Sequence, residues 1–161
     1  MESQKPKKVM TNLSVRPSIE SDCEYLAHHL RRADYNEVKA ALGVVGPEAL
    51  RFSMKHTEEP FTIIDGHTPA GIFGVAPIEP GVGAIWLLGT DALVQGKWRF
   101  LRESKKWLDY VGDGYDLLFN YVDERNSMHI RWIAWLGFTF IARHETYGVE
   151  KRPFLEFVRI V

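Results

Sequence analysis

The segment Ala84-Ile85-Trp86-Leu87-Leu88 contains no polar side chain, and Pro77, Pro80, Gly81 and Gly83 break the chain just before it. A strand with one wet face alternates apolar and polar residues, so an unbroken apolar run between breakers predicts a strand covered on both faces. That strand is the centre of the fold. A helical pattern follows it, in which Trp98, Leu101, Lys105 and Leu108 recur at three- and four-residue spacing and close at Gly112 or Gly114.

The remaining elements are read in the same way. Leu13-Ser14-Val15-Arg16 is a short first strand ended by Pro17, and Ser18 or Ser21 caps a helix with Glu20, Asp22 and Glu24 in its first turn. A second helix runs through Tyr35 to Leu42 and ends near Gly43, and Pro47-Glu48-Ala49-Leu50 starts a third short helical segment. Phe61 to Ile64 and Pro69 to Ala76 are strands joined by Asp65-Gly66 into a hairpin. Asp116 to Tyr121 is a further strand, Ser127 to Leu136 a short helix stopped by Gly137, and Phe138 to Ala142 and Phe154 to Ile160 are the closing strands. The expected class is α+β with a mixed sheet, in the order β-α-α-β-β-β-α-β-α-β-β. Residues 1–11, with Lys5, Lys7 and Lys8 and few apolar side chains, read as a flexible arm before a single domain over residues 12–161.

Composition narrows the function classes. The chain has 20 Lys and Arg against 21 Asp and Glu, so it holds no global attraction for nucleic acid or anionic lipid. Cys23 is the only cysteine; no intramolecular disulfide can form, and the residue reads as a buried thiol. No apolar run approaches the ~20 residues of a membrane span, which predicts a soluble chain without a membrane partner. His28, His29, His56, His67 and Cys23 lack the spacing of a zinc site, and no metal centre is expected. Neither a Gly-x-Ser-x-Gly elbow nor a phosphate-binding P-loop occurs. Arg31, Arg32, Arg131 and Arg143 come without the interleaved aromatics of single-strand binders, so solvated faces are their expected place.

Two segments carry candidate chemistry. Gln95-Gly96-Lys97-Trp98-Arg99-Phe100 marks the passage from the central strand to the amphipathic helix, and Asn126 to Phe138 reads Asn-x-x-His-x-x-x-Ile-x-x-x-Gly-Phe. Together they resemble the GNAT N-acyltransferase superfamily, whose first motif reads Arg/Gln-x-x-Gly-x-Gly/Ala and whose second commonly reads Asn-x-x-Ala-x-x-x-Tyr-x-x-x-Gly-Phe. The element order is also that of the GNAT sheet. The resemblance implies a fold that holds the pyrophosphate of acetyl-CoA on backbone N–H groups at a helix N-terminus, where unpaired donors and the helix dipole favour an anion and glycines permit close approach. Aligned on Gln95, the two glycines become Trp98 and Phe100, each adding a large side chain there. The alternative use of both is packing, in this domain's core or against another protein. Lys97 and Arg99 place two cations beside the helix N-terminus, able to hold an anion through side chains or to stand in solvent. If acetyl-CoA binds, Gln95, Gly96, Lys97 and Asn126 are the cofactor contacts that the resemblance assigns; otherwise no cofactor is expected.

Aligned on Asn126, the motif tyrosine becomes Ile133, which has no proton to give a departing CoA thiolate. Tyr121 is the substitute acid that the sequence offers. His129, one turn before Ile133 on the same helix face, reads as structural or catalytic. Ala84 to Leu88 holds no carboxylate, Glu79 precedes it in a Pro/Gly loop, and Asp91 after it reads as a helix cap. Trp98, Trp107, Trp132 and Trp135 fall on the two helices of this half, as core or as a protein contact.

Within the superfamily, Asn120-Tyr121-Val122, Asn126-x-x-His129-Ile130-Arg131, Gly137 and Phe154-x-x-Phe157 resemble a group of small tailed-phage proteins related to the minor internal virion protein of short-tailed coliphages. That resemblance spans the C-terminal third. It implies a phage virion-associated or morphogenesis protein built on a degenerate GNAT fold, located in the virion and host cytoplasm and partnered by other virion proteins or by copies of itself. The second hypothesis is an active acetyl-CoA-dependent N-acetyltransferase that modifies a host or phage amine.

Overall fold

The computed structural model describes residues 13–95 and 97–161, without the side chains of residues 97–99. The arm expected over residues 1–11 lies outside the described residues. The elements run β1 (Leu13–Pro17), α1 (Glu20–Ala27), α2 (Arg32–Leu42), α3 (Pro47–Lys55), β2 (Phe61–Asp65), β3 (Thr68–Glu79), β4 (Val82–Gly89), α4 (Asp91–Gln95), α5 (Lys97–Val111), β5 (Leu117–Asp123), α6 (Ser127–Trp135), β6 (Thr139–Tyr147) and β7 (Arg152–Ile160). The strands form one seven-stranded sheet in the order β1-β2-β3-β4-β5-β7-β6. Every neighbouring pair is antiparallel except β4 and β5.

The apolar run in β4 is explained by cover on two sides. Strand alternation sends Trp86 and Leu88 to one face, where they pack with Cys23 and Leu26 of α1 and Leu50 of α3. Ile85 and Leu87 go to the other face, towards Leu108 and Trp107 of α5. Each fully buried side chain of this size contributes about 1.5–3 kcal/mol. The second face also receives α6, whose Ile133 meets Leu118 and Val122 of β5.

Several boundaries differ from the sequence expectation. β3 continues through Pro77, and the ladder shifts register between Pro77 and Glu79, the kind of break at which a residue without an N–H is tolerated. α2 starts at Arg32, ahead of Tyr35. Asp91 does not cap the long helix; it begins the short α4, and the cap is Thr90, whose Oγ1 accepts the Ala92 N–H at 3.2 Å. β6 runs on from Ala142 to Tyr147 because two register shifts let it follow β7 further. Gly43 ends α2 and Gly137 follows α6, both at positive φ.

Candidate functional site

β4 and β5 pair for three residues only, Val82 to Ala84 against Leu117 to Phe119, and then diverge. At the fork the Asn120 side chain stands in for a ladder bond: Nδ2 donates to the Ile85 carbonyl at 2.7 Å, and Oδ1 accepts the Tyr121 N–H at 2.8 Å. Beyond the fork lies a cavity of about 500 Å³ that reaches both faces of the sheet. Trp107 and Trp132 line it on the α5–α6 side, and Glu37, Val38 and Tyr147 line it on the α2 side. This is the volume of a small-molecule site with a mostly apolar wall.

Tyr121 borders the cavity, stacked on Tyr147 at 4.6 Å between ring centroids and edge-on to His144 at 5.4 Å. Burial, with the Glu156 carboxylate opposite it in the β5–β7 ladder, pushes the phenol above its ordinary pKa. Tyr121 therefore keeps its proton near neutrality. Asn126, 1% exposed, points inward: its Nδ2 donates to Asp34 Oδ1 at 2.9 Å. Gln95 is exposed at the end of α4. Gly96 and the Lys97 side chain lie outside the described residues, so of the four cofactor candidates only Gln95 and Asn126 can be placed. Ile133 is 2% exposed in the core. Phe100, at the second glycine position of the motif, stacks on Trp132 at 5.4 Å with an interplanar angle of 29°, linking α5 to α6.

A polar cluster that the sequence reading did not find lies between α2, β4, β5 and α6. Asp34 is 2% exposed; its Oδ2 accepts the Gly89 N–H at 2.9 Å, and its Oδ1 accepts Arg31 Nη1 at 3.1 Å besides Asn126. Glu37 Oε1 accepts the Asp123 N–H at 2.8 Å, and its Oε2 lies 3.7 Å from His129 Nδ1, an ion-pair distance too long for a hydrogen bond. Asp123 is held by Arg125 at 2.7 Å. Burial pulls the His129 imidazole towards its neutral form, but Glu37 and Asp34 outweigh it and leave the pKa above the ordinary value. The signal that could have found the cluster is a pair of i, i+3 polar couples, Asp34 with Glu37 on one face of α2 and the cap residue Asn126 with His129 at the start of α6.

Neither a protein-family model nor a curated protein matches the sequence. Solved structures do match the fold. Ard1 from Thermoplasma volcanium superposes with a TM-score of 0.70 at 14% identity, covering 92% of this chain and 97% of its own. A GNAT-family acetyltransferase from Bacillus anthracis gives 0.68 at 13% identity, covering 92% and 94%. This chain has the GNAT fold. A variant of the spermidine N-acetyltransferase SpeG from Vibrio cholerae, at 0.65 and 12% identity over 92% and 93% of the two chains, shares the same GNAT architecture. At these identities the likeness concerns the fold alone.

Proposed function

We propose that this GNAT-fold chain has given its acyl-CoA groove over to packing and works through protein contacts, as a phage virion-associated or morphogenesis component. The observation that carries the reading is Phe100 stacked on Trp132, which puts aromatic carbon between α5 and α6 at the position where the motif calls for glycine. Ile133 adds to it, since the motif's acid position is a buried hydrocarbon. A surface suited to a partner is also present. Leu42, Val44, Val45 and Val149 are 39–65% exposed, and Val149 packs beside Gly43, so the α2–α3 turn and the β6–β7 turn form one apolar patch. The virion assignment rests on the motif in the C-terminal third, and other virion proteins or a second copy are the partners it implies. Isothermal titration of the full chain with acetyl-CoA tests the groove: the expected result is no heat up to millimolar ligand, and micromolar binding overturns the reading. Mass spectrometry of purified phage particles tests the location, and absence of the chain from them removes the virion role.

A second reading, acetyl-CoA-dependent N-acetyl transfer to a host or phage amine, is favoured by the cavity at the β4–β5 fork with the protonated Tyr121 on its wall. In that reading the Tyr121 phenol supplies the proton to the departing thiolate. Gln95, Gly96, Lys97 and Asn126 are the positions to alter if the titration finds binding.

A further inference from the structure

Neither reading of the groove uses the buried cluster between α2 and α6. Three carboxylates meet there, Asp34, Glu37 and Asp123, against two guanidinium groups, Arg31 and Arg125. With His129 neutral, one negative charge is left over at a place where Asp34 and Asp123 are each at most 2% exposed and Glu37 is 9% exposed. Buried charge of this kind is costly unless a counter-charge sits on it. The uncompensated side of the cluster also collects unused lone pairs. Glu37 Oε2 makes no hydrogen bond among the described residues, and Asp34 Oδ2 accepts only the Gly89 N–H. The fully buried His129 Nδ1 and Asn126 Oδ1 have no hydrogen-bond partner among the described residues.

We propose that Asp34, Glu37 and His129 are the protein ligands of a divalent cation, zinc by their donor set, held at the wall of the cavity. Their ligand atoms, two from α2 and one from α6, all lie within 4.8 Å of one another. Zinc stands about 2.0–2.2 Å from imidazole nitrogen and carboxylate oxygen, so small side-chain rotations of the three residues close the site. Asn126 Oδ1 is a third oxygen nearby, on an amide already anchored to Asp34. One imidazole with two carboxylates suits zinc, whereas magnesium and calcium prefer an all-oxygen shell with more ligands. Glu37 and His129 line the cavity, so a coordination position left to water faces it, the arrangement of zinc sites with three protein ligands. The histidines weighed from sequence spacing did not include His129, because its acidic partners are 92 and 95 positions away in the chain and only the fold unites them.

The test is calorimetric titration of ZnCl2 into the tag-free full chain near neutral pH, with thermal unfolding alongside. The expected result is one zinc per chain, a raised midpoint, and no binding of MgCl2. His129→Gln and Glu37→Gln should each weaken zinc by at least ~100-fold, the upper end of what losing a mere outer partner of a metal ligand costs. His144→Gln, which removes the half-exposed His144–Glu156 pair, should leave it unchanged. Absence of zinc binding overturns the proposal and leaves a proton on His129 as the counter-charge. Binding that survives both ligand substitutions but is lost in His144→Gln overturns it as well. Should either ligand variant fail to fold by circular dichroism, CoCl2 added to the native chain decides: visible d–d bands support the site, and their absence rejects it.

Discussion

Ile133 shows how a single position fixes what the motif helix can do. It is 2% exposed, packed against Leu108, Leu118 and Val122 in the wall of the cavity, so restoring the motif tyrosine forces a ring and a hydroxyl past these neighbours. Ile133→Tyr is expected to cost about 1–3 kcal/mol by overpacking and to give no acyl transfer; thermal denaturation and a thiol-release assay with acetyl-CoA check both. Asp22 makes the opposite case, a charge that the fold supports. Its carboxylate accepts Arg16 twice at 2.8 Å, the Ile19 N–H at 2.9 Å and the Thr62 hydroxyl at 2.7 Å. Burial raises its pKa, but these partners together hold it below the ordinary carboxylate range. The folded pKa lies under the unfolded one, so the stability that Asp22 adds is present above about pH 4 and is lost as pH falls through the folded value. Asp22→Asn is expected to cost about 2 kcal/mol at neutral pH, with the gap to the native protein narrowing in acid; urea denaturation across that range measures it.

At the scale of elements, the β6–β7 hairpin is seated on the end of α2 by backbone bonds: the Val149 N–H donates to the Ala41 carbonyl at 3.3 Å and the Glu150 N–H to the Ala40 carbonyl at 3.0 Å. Gly148 makes that approach possible. It has φ 72°, and a Cβ there would meet the Ala40 carbonyl oxygen at 2.5 Å and the Ala41 Cα at 2.7 Å. Gly137, after α6, has φ 90° and nothing within 4 Å of an added Cβ. Gly137→Ala is therefore expected to cost about 1 kcal/mol, the left-handed backbone alone, and Gly148→Ala about 3 kcal/mol or more, because main chain must move. Equal midpoints for the two variants would contradict the account. Elements were legible in the sequence where local pattern decides them. The apolar run of β4, the Asp65-Gly66 turn and the helix ends at Gly43 and Gly137 are all local. The passage of β3 through Pro77 and the length of β6 were not, since each depends on a register shift against a neighbouring strand. Trp107 and Trp132, read as core or contact, are part of the packing, while half-exposed Trp135 lies under Lys105 Nζ at 4.0 Å.

Across the whole molecule, the sheet has a weak seam. β1 to β4 and β5 to β7 share a backbone ladder of three residue pairs, lengthened at one end by the Asp116 and Leu117 N–H groups on the Gly81 carbonyl; beyond it, packing and side-chain bonds join these strands. On one face α5 bridges the seam, with Leu108 against Leu118 of β5 and Trp107 against Phe61 and Phe73 of β2 and β3. On the other face the bridge is polar: Asp34 holds the Gly89 N–H of β4 and the Asn126 amide, and Glu37 holds the Asp123 N–H of β5. These bonds span 55 to 92 positions of sequence, which is why no spacing announced them. Asp34→Ala removes three acceptor bonds at once and leaves the Gly89 N–H and Arg31 without their partner, a loss of about 3–5 kcal/mol by the rule for breaking one side of a buried ion pair. The halves should then part company. Amide exchange at Gly89 and in β5 is expected to accelerate more than in β2 and β3, and the unfolding transition seen by tryptophan fluorescence should separate from that seen by circular dichroism. Uniform acceleration with coincident transitions would mean that α5 alone holds the seam and that the acids of α2 are incidental to it.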